Sequence, residues 1–165
     1  SVLVGNRNAR EAAAAEAESK DLRSWVDERV FTGDAMELGR RFGKQLGEAE
    51  SGLYIWGGES TMELPDEPGR GGRNQALALS AATEIVGRDD CFLLAVGTDG
   101  TDGPTEDAGA LVDGNTLRRG RDEGFDPEDT LRRADSGTFL EASGDLIQTG
   151  PTGTNVMDLV LGLKL

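Results

Sequence analysis

The sequence predicts an α/β fold, with a mixed, largely parallel sheet flanked by helices in one domain spanning residues 1–165. Three observations carry that expectation. Short apolar runs alternate with stretches of helical periodicity along the whole chain, the order that sets helices against a sheet. Residues 92–96 form a continuous apolar run, as expected of a strand buried on both faces. A length of 165 residues suits one ordinary domain, and a hydrophobic share of 36% is enough for a core.

Residues 2–4 read as a short buried strand closed by Gly5-Asn6, after which Asn6 or Asn8 can cap a helix. Residues 9–19, rich in Ala and Glu, are that helix. Trp25-Val26 and Val30-Phe31 are read as a short second strand. Gly33-Asp34 opens a helix to about Ala49, with Met36, Leu38, Phe42 and Leu46 at helical spacing. Residues 53–56 are a strand ending in Gly57-Gly58, and 61–64 are its candidate partner before a Pro/Gly turn at 65–72. Residues 74–86 follow as a helix with a small apolar face.

After the strand at 92–96, residues 97–110 form a polar loop rich in Gly and Asp. Helical stretches follow at about 114–123 and 127–134, the second started by Asp126-Pro127 with proline at its first position. A further helix at 136–143, the pair Leu146-Ile147 and a strand at 156–163 complete the order. Residues 1–50 are thus a leading segment and 51–165 a motif-bearing core.

Composition removes several functions. The chain carries 31 acidic and 17 basic side chains, a net charge of −14. A sequence-independent nucleic-acid binder needs the opposite sign. The longest apolar run, 91–96, is far short of the roughly 20 residues of a membrane span. One cysteine, Cys91, excludes a disulfide scaffold. Without histidine, chemistry falls to carboxylates, arginines, hydroxyls and backbone amides. Arginine outnumbers lysine 14 to 3, which suits recognition of carboxylates and phosphates, although codon bias or a soluble acidic surface is the plainer explanation of the composition. A start at Ser1 with no secretory leader reads as a piece of a longer, cytoplasmic protein.

Three loops carry unusual chemistry. The first joins Gly57-Gly58-Glu59-Ser60-Thr61 to Gly69-Arg70-Gly71-Gly72-Arg73-Asn74-Gln75, where glycines run into a helix start and free amides favour an anion. Arg73 there opposes the positive end of the helix dipole, a local rule broken at a glycine-rich turn. Gly69-x-Gly71 lacks the third glycine of a dinucleotide fingerprint, and the segment 39–45 is one residue short of a P-loop. The second loop, 97–109, leaves the carboxyl end of the best strand, where open α/β sheets place ligands. Its Asp99 and Asp102 can hold Mg²⁺ through water, orient a hydroxyl or act as a general base, with Thr98 and Thr101 as donors. Plain Asp-Gly turn formation is the competing explanation. The third loop, Thr149-Gly150-Pro151-Thr152-Gly153-Thr154-Asn155, offers neutral hydrogen bonds to an anion or to sugar-like hydroxyls, or is simply a tight turn.

Together these loops, with Gly97-Thr98-Asp99-Gly100-Thr101-Asp102-Gly103-Pro104-Thr105 and Gly109-Ala110, resemble the C-terminal MOFRL domain of the bacterial glycerate kinase family. Some members of that family have been labelled hydroxypyruvate reductases. The resemblance covers about residues 53–164. It implies an enzyme that uses ATP and Mg²⁺ to phosphorylate D-glycerate, usually to 2-phosphoglycerate. Its cleft would lie between this domain and the protein's own N-terminal Rossmann-like domain, which is absent from this chain. The chain alone is then half an active site and inactive, with no nucleic-acid or membrane partner; a homodimer is compatible with the reading.

By resemblance, Arg73 stabilises the transferred phosphoryl group or clamps the glycerate carboxylate, and Asp99 and Asp102 serve the metal or the substrate hydroxyl. Gly57, Gly58, Glu59, Ser60, Thr61, Gly71, Gly72, Asn74, Thr98, Thr101, Thr152, Gly153, Thr154 and Asn155 are the expected substrate- and phosphate-binding positions. Ala76 stands where the family pattern leads one to expect glutamate, and Met157 where it leads one to expect asparagine. Two alternatives stand beside the kinase: an NAD(P)H-dependent hydroxypyruvate reductase, for which the chain has no dinucleotide fingerprint, and a non-catalytic ligand-binding module.

Overall fold

A six-stranded mixed sheet organises residues 5–165, the part of the chain described by this computed structural model. The strand expected at 2–4 lies outside the described residues. Helix α1 (Asn6–Ser19) precedes strand β1 (Ser24–Asp34), helix α2 (Ala35–Glu48) and strand β2 (Gly52–Thr61). Helix α3 (Arg73–Glu84) leads to β3 (Cys91–Gly97) and β4 (Gly109–Asp113). Three short helices, α4 (Thr116–Asp122), α5 (Pro127–Arg132) and α6 (Ser136–Ser143), run to β5 (Leu146–Ile147) and β6 (Asp158–Lys164). The spatial order is β1-β2-β6-β3-β4-β5.

A mixed, helix-flanked sheet agrees with the expectation, but its polarity is a correction. Among the described residues only β1 and β2 pair in parallel; β2–β6, β6–β3, β3–β4 and β4–β5 are antiparallel. The cause is β6, which runs back between β2 and β3. Strand direction depends on a distant neighbour, and local apolar alternation carries no record of it.

Three further corrections concern strands. The short strand expected from Trp25-Val26 and Val30-Phe31 is present but longer, Ser24–Asp34, with a register irregularity between Val26 and Val30. Strand β2 continues through Gly57-Gly58 to Thr61 because β1 pairs with its whole second half, so 61–64 is no separate strand. Residues 109–113, placed partly in the polar loop, form β4 through their ladder with β3.

Helix starts follow the sequence closely. The Asp34 carboxylate accepts from the amides of Met36 (2.9 Å) and Glu37 (3.0 Å), closing the first turn of α2. Asp126 does the same for α5 through Asp129 N at 2.8 Å, with Pro127 at the first position. At α1, Asn8 accepts from the amide of Gly5 at 2.9 Å, whereas Asn6 is buried and donates to the carbonyls of Val156 and Asp158.

The core lies between one face of the sheet and the pair α2–α3. Leu38, Phe42 and Leu46 from α2 and Leu77, Ala78 and Ala81 from α3 bury against Trp56, Leu93, Ala95 and Val160. Phe42 stacks on Trp56 with ring centroids 4.6 Å apart. Gly39 and Gly43 let the two helices touch: a Cβ on Gly39 would sit 2.2 Å from the carbonyl oxygen of Leu77. The near-miss P-loop segment therefore owes its glycines to helix packing.

The opposite face is only partly covered. Helix α1 lies over Gly57, whose Cβ would fall 2.0 Å from Asn6 Oδ1. Beside it, Phe92, Leu94 and Val96 of β3 pair in register with Leu163, Leu161 and Leu159 of β6, forming a half-buried apolar band. Leu111 of β4 extends this band and is 43% exposed. Among the described residues no helix is long and apolar enough to cross a membrane.

Gly39→Ala tests the α2–α3 contact. Alanine gains about 1 kcal/mol of helix propensity, but the clash with a backbone carbonyl outweighs it at roughly 1–3 kcal/mol. Urea denaturation is expected to show net destabilisation.

Candidate active site

Strand β3 ends at Gly97, and its loop meets the start of α3, the end of β2 and the loop before β6. A cavity of about 120 Å³ opens there, lined among others by Glu59, Arg73, Asp99, Asn155, Met157 and Asp158. At roughly 30 Å³ per water molecule, that space suits a phosphoryl or carboxylate group and little more. Larger hollows of about 550 Å³ between α1 and β1 and about 670 Å³ beside Asp34 and Thr61 lack this convergence of loops.

The first turn of α3 is built by a residue from another loop. Gly72, at the N-cap, has no side chain to offer, and Asp102 takes that place. Asp102 Oδ1 accepts from Asn74 N at 2.9 Å and Oδ2 from Gln75 N at 2.8 Å. A Cβ on Gly72 would lie 2.4 Å from Asp102 Cγ, so glycine here makes room for the carboxylate. Thr105 Oγ1 then donates to Asp102 O and accepts from Gln75 Nε2, stapling the loop to the helix. Burial pushes the Asp102 carboxyl above its ordinary value, while the two amide bonds pull it back.

This arrangement corrects the role expected of Asp102. The residue is 2% exposed and both oxygens are engaged, so neither is free for a metal or a substrate. The helix start likewise holds no free anion site at those amides, because a carboxylate of the chain already fills it.

Arg73 projects from the same turn and is partly exposed. Its Nη1 donates to the carbonyl of Ser60 at 2.6 Å and lies 3.4 Å from Glu59 Oε1. Its Nη2 is 3.9 Å from Asp158 Oδ2. The conflict with the helix dipole is offset by Asp102 and Asp158, which flank the turn. Asn74, 1% exposed, bridges those two acids, donating to Asp102 Oδ1 and, at 3.0 Å, to Asp158 Oδ1.

Asp99 is the predicted carboxylate that stays available. Its Oδ1 accepts from the amide and hydroxyl of Thr101 at 3.0 and 3.1 Å, and its Oδ2 makes no hydrogen bond among the described residues. Thr98 is spent on structure: its hydroxyl donates to Met157 O at 2.6 Å and accepts from Val156 N at 2.9 Å. Thr152 ties the third loop to the second through Thr98 O at 2.6 Å and Asp99 O at 3.1 Å. Asn155 Oδ1 accepts from Met157 N at 3.1 Å and the residue lines the cavity.

The structure thus brings Glu59, Arg73, Asp99, Thr101, Asp102 and Asn155 to one cavity. It leaves Gly57, Gly58, Ser60, Thr61, Gly71, Gly72, Asn74, Thr98, Thr152, Gly153 and Thr154 off its lining. Gly57 and Gly58 are strand residues that admit α1 and Phe31 rather than a ligand. Ser60 contributes its carbonyl, and Gly71 packs on Ser136.

Asp158 is the site residue that sequence reasoning missed. It opens β6 between Gly58 and Gly97 on the neighbouring strands, and a lone acid heading an apolar strand is the signal that was there to find. Burial pushes its carboxyl above the ordinary value; the Asn74 hydrogen bond and the Arg73 charge act the other way. Among the described residues no group of three or more acidic or cysteine side chains forms a metal cage.

Residues 52–158 match the MOFRL family. The chain belongs to that family. This MOFRL chain is 36% identical to the glycerate 2-kinase of Pyrococcus horikoshii and 39% identical to the D-glycerate 2-kinase of Thermotoga maritima. Each alignment covers 98% of this chain, but only 38% and 40% of those proteins. A relative from Agrobacterium vitis with a provisional hydroxypyruvate reductase name is 42% identical over 92% of this chain and 36% of that protein. The crystal structure of the T. maritima glycerate kinase superposes with a TM-score of 0.94 at 37% identity, over 98% of this chain and 41% of that one. A P. horikoshii crystal structure gives 0.93 at 34% identity, covering 98% and 38%. The MOFRL chain spans about two-fifths of the length of these relatives.

The two departures from the family pattern have physical addresses. Ala76 lies on the first turns of α3 and is buried in the core, with no solvent for a carboxylate at that position. Met157 sits at φ 69°, a left-handed conformation that asparagine tolerates far better.

Two predictions follow from this geometry. Asp102→Asn leaves one of two amides facing an NH₂ group and is expected to destabilise the fold by about 1–3 kcal/mol in urea titrations. Met157→Asn is expected to stabilise it by about 1 kcal/mol in the same measurement.

Proposed function

We propose that this chain is the C-terminal half of an ATP-dependent glycerate kinase, transferring the γ-phosphoryl group to D-glycerate to give 2-phosphoglycerate. The reading places the reaction where the cavity rim meets an N-terminal Rossmann-like domain. The observation that carries it is Arg73, a partly exposed guanidinium at a phosphoryl-sized cavity, in a chain that superposes on a glycerate kinase.

Phosphoryl transfer asks for positioning and charge stabilisation more than proton chemistry, so a site without histidine is adequate. Arg73 keeps Nη1 on the Ser60 carbonyl and has further donors for oxygens that gain charge in the transition state. Four carboxyl groups, from Glu59, Asp99, Asp102 and Asp158, face that one arginine across the cavity. A bare phosphate is repelled there; ATP arriving with Mg²⁺ is not. The chemistry that Mg²⁺ would supply when bound is neutralisation of the charge developing on the phosphate. Asp99 is the residue fitted to hold that ion through water or to orient the glycerate hydroxyl, because its Oδ2 is unengaged. Asn155, whose Oδ1 is held by the Met157 amide, supplies a neutral donor through its Nδ2, while Thr101 gives both its amide and its hydroxyl to Asp99.

Most of the relatives' length lies outside the match, and the apolar band on β3 and β6 gives such a preceding domain a surface to cover. In the protein carrying both domains, glycerate-dependent ADP formation is the expected outcome. NADH oxidation with hydroxypyruvate, and no ADP, would replace this reading with the reductase. Arg73→Ala in that protein is expected to lower kcat by about 10²–10³; undiminished turnover would remove Arg73 from the mechanism.

A further inference from the structure

We propose that Asp158 is a positioning residue for Arg73: its Oδ2 is the seat that orients the guanidinium when an anion enters the cavity. This rests on the kinase reading for its catalytic consequence, but its geometry stands independently. Asp158 is 4% exposed and heads the strand inserted at the centre of the sheet. Its carboxylate cannot swing freely, because Oδ1 accepts from Asn74 Nδ2 and Asn74 is itself held by Asp102. That leaves Oδ2 buried without a hydrogen bond, facing Arg73 Nη2 at 3.9 Å.

An ionisable group buried with an open lone pair is costly, and a neutral isostere would remove the cost. Its neighbours define what that oxygen serves. Arg73 and Asn74 face the carboxyl group from α3, Glu59 and Ser60 from β2, and Asp102 from the loop after β3. Arg73 is the only cation among them. The guanidinium now rests on the Ser60 carbonyl and loosely on exposed Glu59. A shift of about 1 Å toward Asp158 shortens 3.9 Å to the roughly 2.7–2.9 Å of a charge-assisted bond. Nη1 stays near Ser60 in that movement, so two fixed acceptors then define the guanidinium plane and its remaining donors face the cavity. Asp158 acts through Arg73 and touches no substrate in this account.

Asp158→Asn, with Asp158→Ser as a second variant of different size, tests the assignment in the protein carrying both domains. The expected result is a kcat lowered about 10–100-fold with KM for glycerate within about 3-fold, as for loss of a supporting contact. The variant combined with Arg73→Ala is expected to be no slower than Arg73→Ala alone, since both changes disable the same group. Melting temperature is expected not to fall. Undiminished kcat, or losses that multiply in the double variant, would overturn the proposal.

A second measurement separates this inference from the kinase reading. Nitrogen-15 NMR of the Arg73 side chain in this chain, with saturating Mg²⁺ and inorganic phosphate added, reports rotation of its guanidinium when the cavity holds an anion. Faster rotation in Asp158→Asn supports the seat even if glycerate-dependent ADP formation is absent from the wild type. Unchanged rotation overturns it whatever the enzyme assay shows.

Discussion

The carboxylate of Asp102, seated on the first free amides of α3, is the contact around which the candidate site is organised. A helix start leaves several amides unsatisfied, and burying it without partners is costly. Here the partner comes from the loop after β3, nearly thirty residues downstream, so one interaction satisfies the helix and fixes the loop. Everything else at the site takes its position from that pair. Arg73 leaves the same turn, Asn74 bridges to Asp158, and Asp99 lies three residues before Asp102 on a strand end that can no longer drift.

The glycine-rich segments gain a different meaning from this frame. Their sequence suggests a backbone stripped to admit a ligand, yet most admit parts of the same chain. Gly57 admits α1, Gly58 admits Phe31, Gly72 admits Asp102, and Gly39 admits the backbone of α3. Close internal approach leaves little slack, so the geometry of these loops is held by the chain itself. The acidic character of the chain also acquires a local form, with four carboxyl groups about one arginine.

Local features were legible in the sequence. Asp34, Asp126-Pro127 and the apolar run at 92–96 announce a cap, a helix start and a strand, because each depends on neighbours a few residues away. Arg73 was legible for the opposite reason: it breaks the dipole rule at the place where it stands. The antiparallel return of β6 and the strand β4 were not legible, since both exist only through ladders with distant partners. Asp102 looked like a ligand-binding acid because the spacing shows two equivalent Asp-Gly pairs and hides the helix start that engages only the second. Asp158 stayed hidden because a single acid before Leu-Val-Leu resembles the polar edge of a strand until its neighbours are known.

The place of β6 in the sheet has a consequence for assembly. The strand formed last in sequence is the one that lies between β2 and β3, so it acts as a keystone. Until it arrives, β1–β2 and β3–β4 are two separate ribbons, each with an open hydrogen-bonding edge where β6 will sit. Synthesis proceeds from the N-terminus, and neither ribbon can close onto the other early. The same strand carries Asp158 at its head, so the site and the sheet are completed by a single event, the insertion of β6 between the two ribbons.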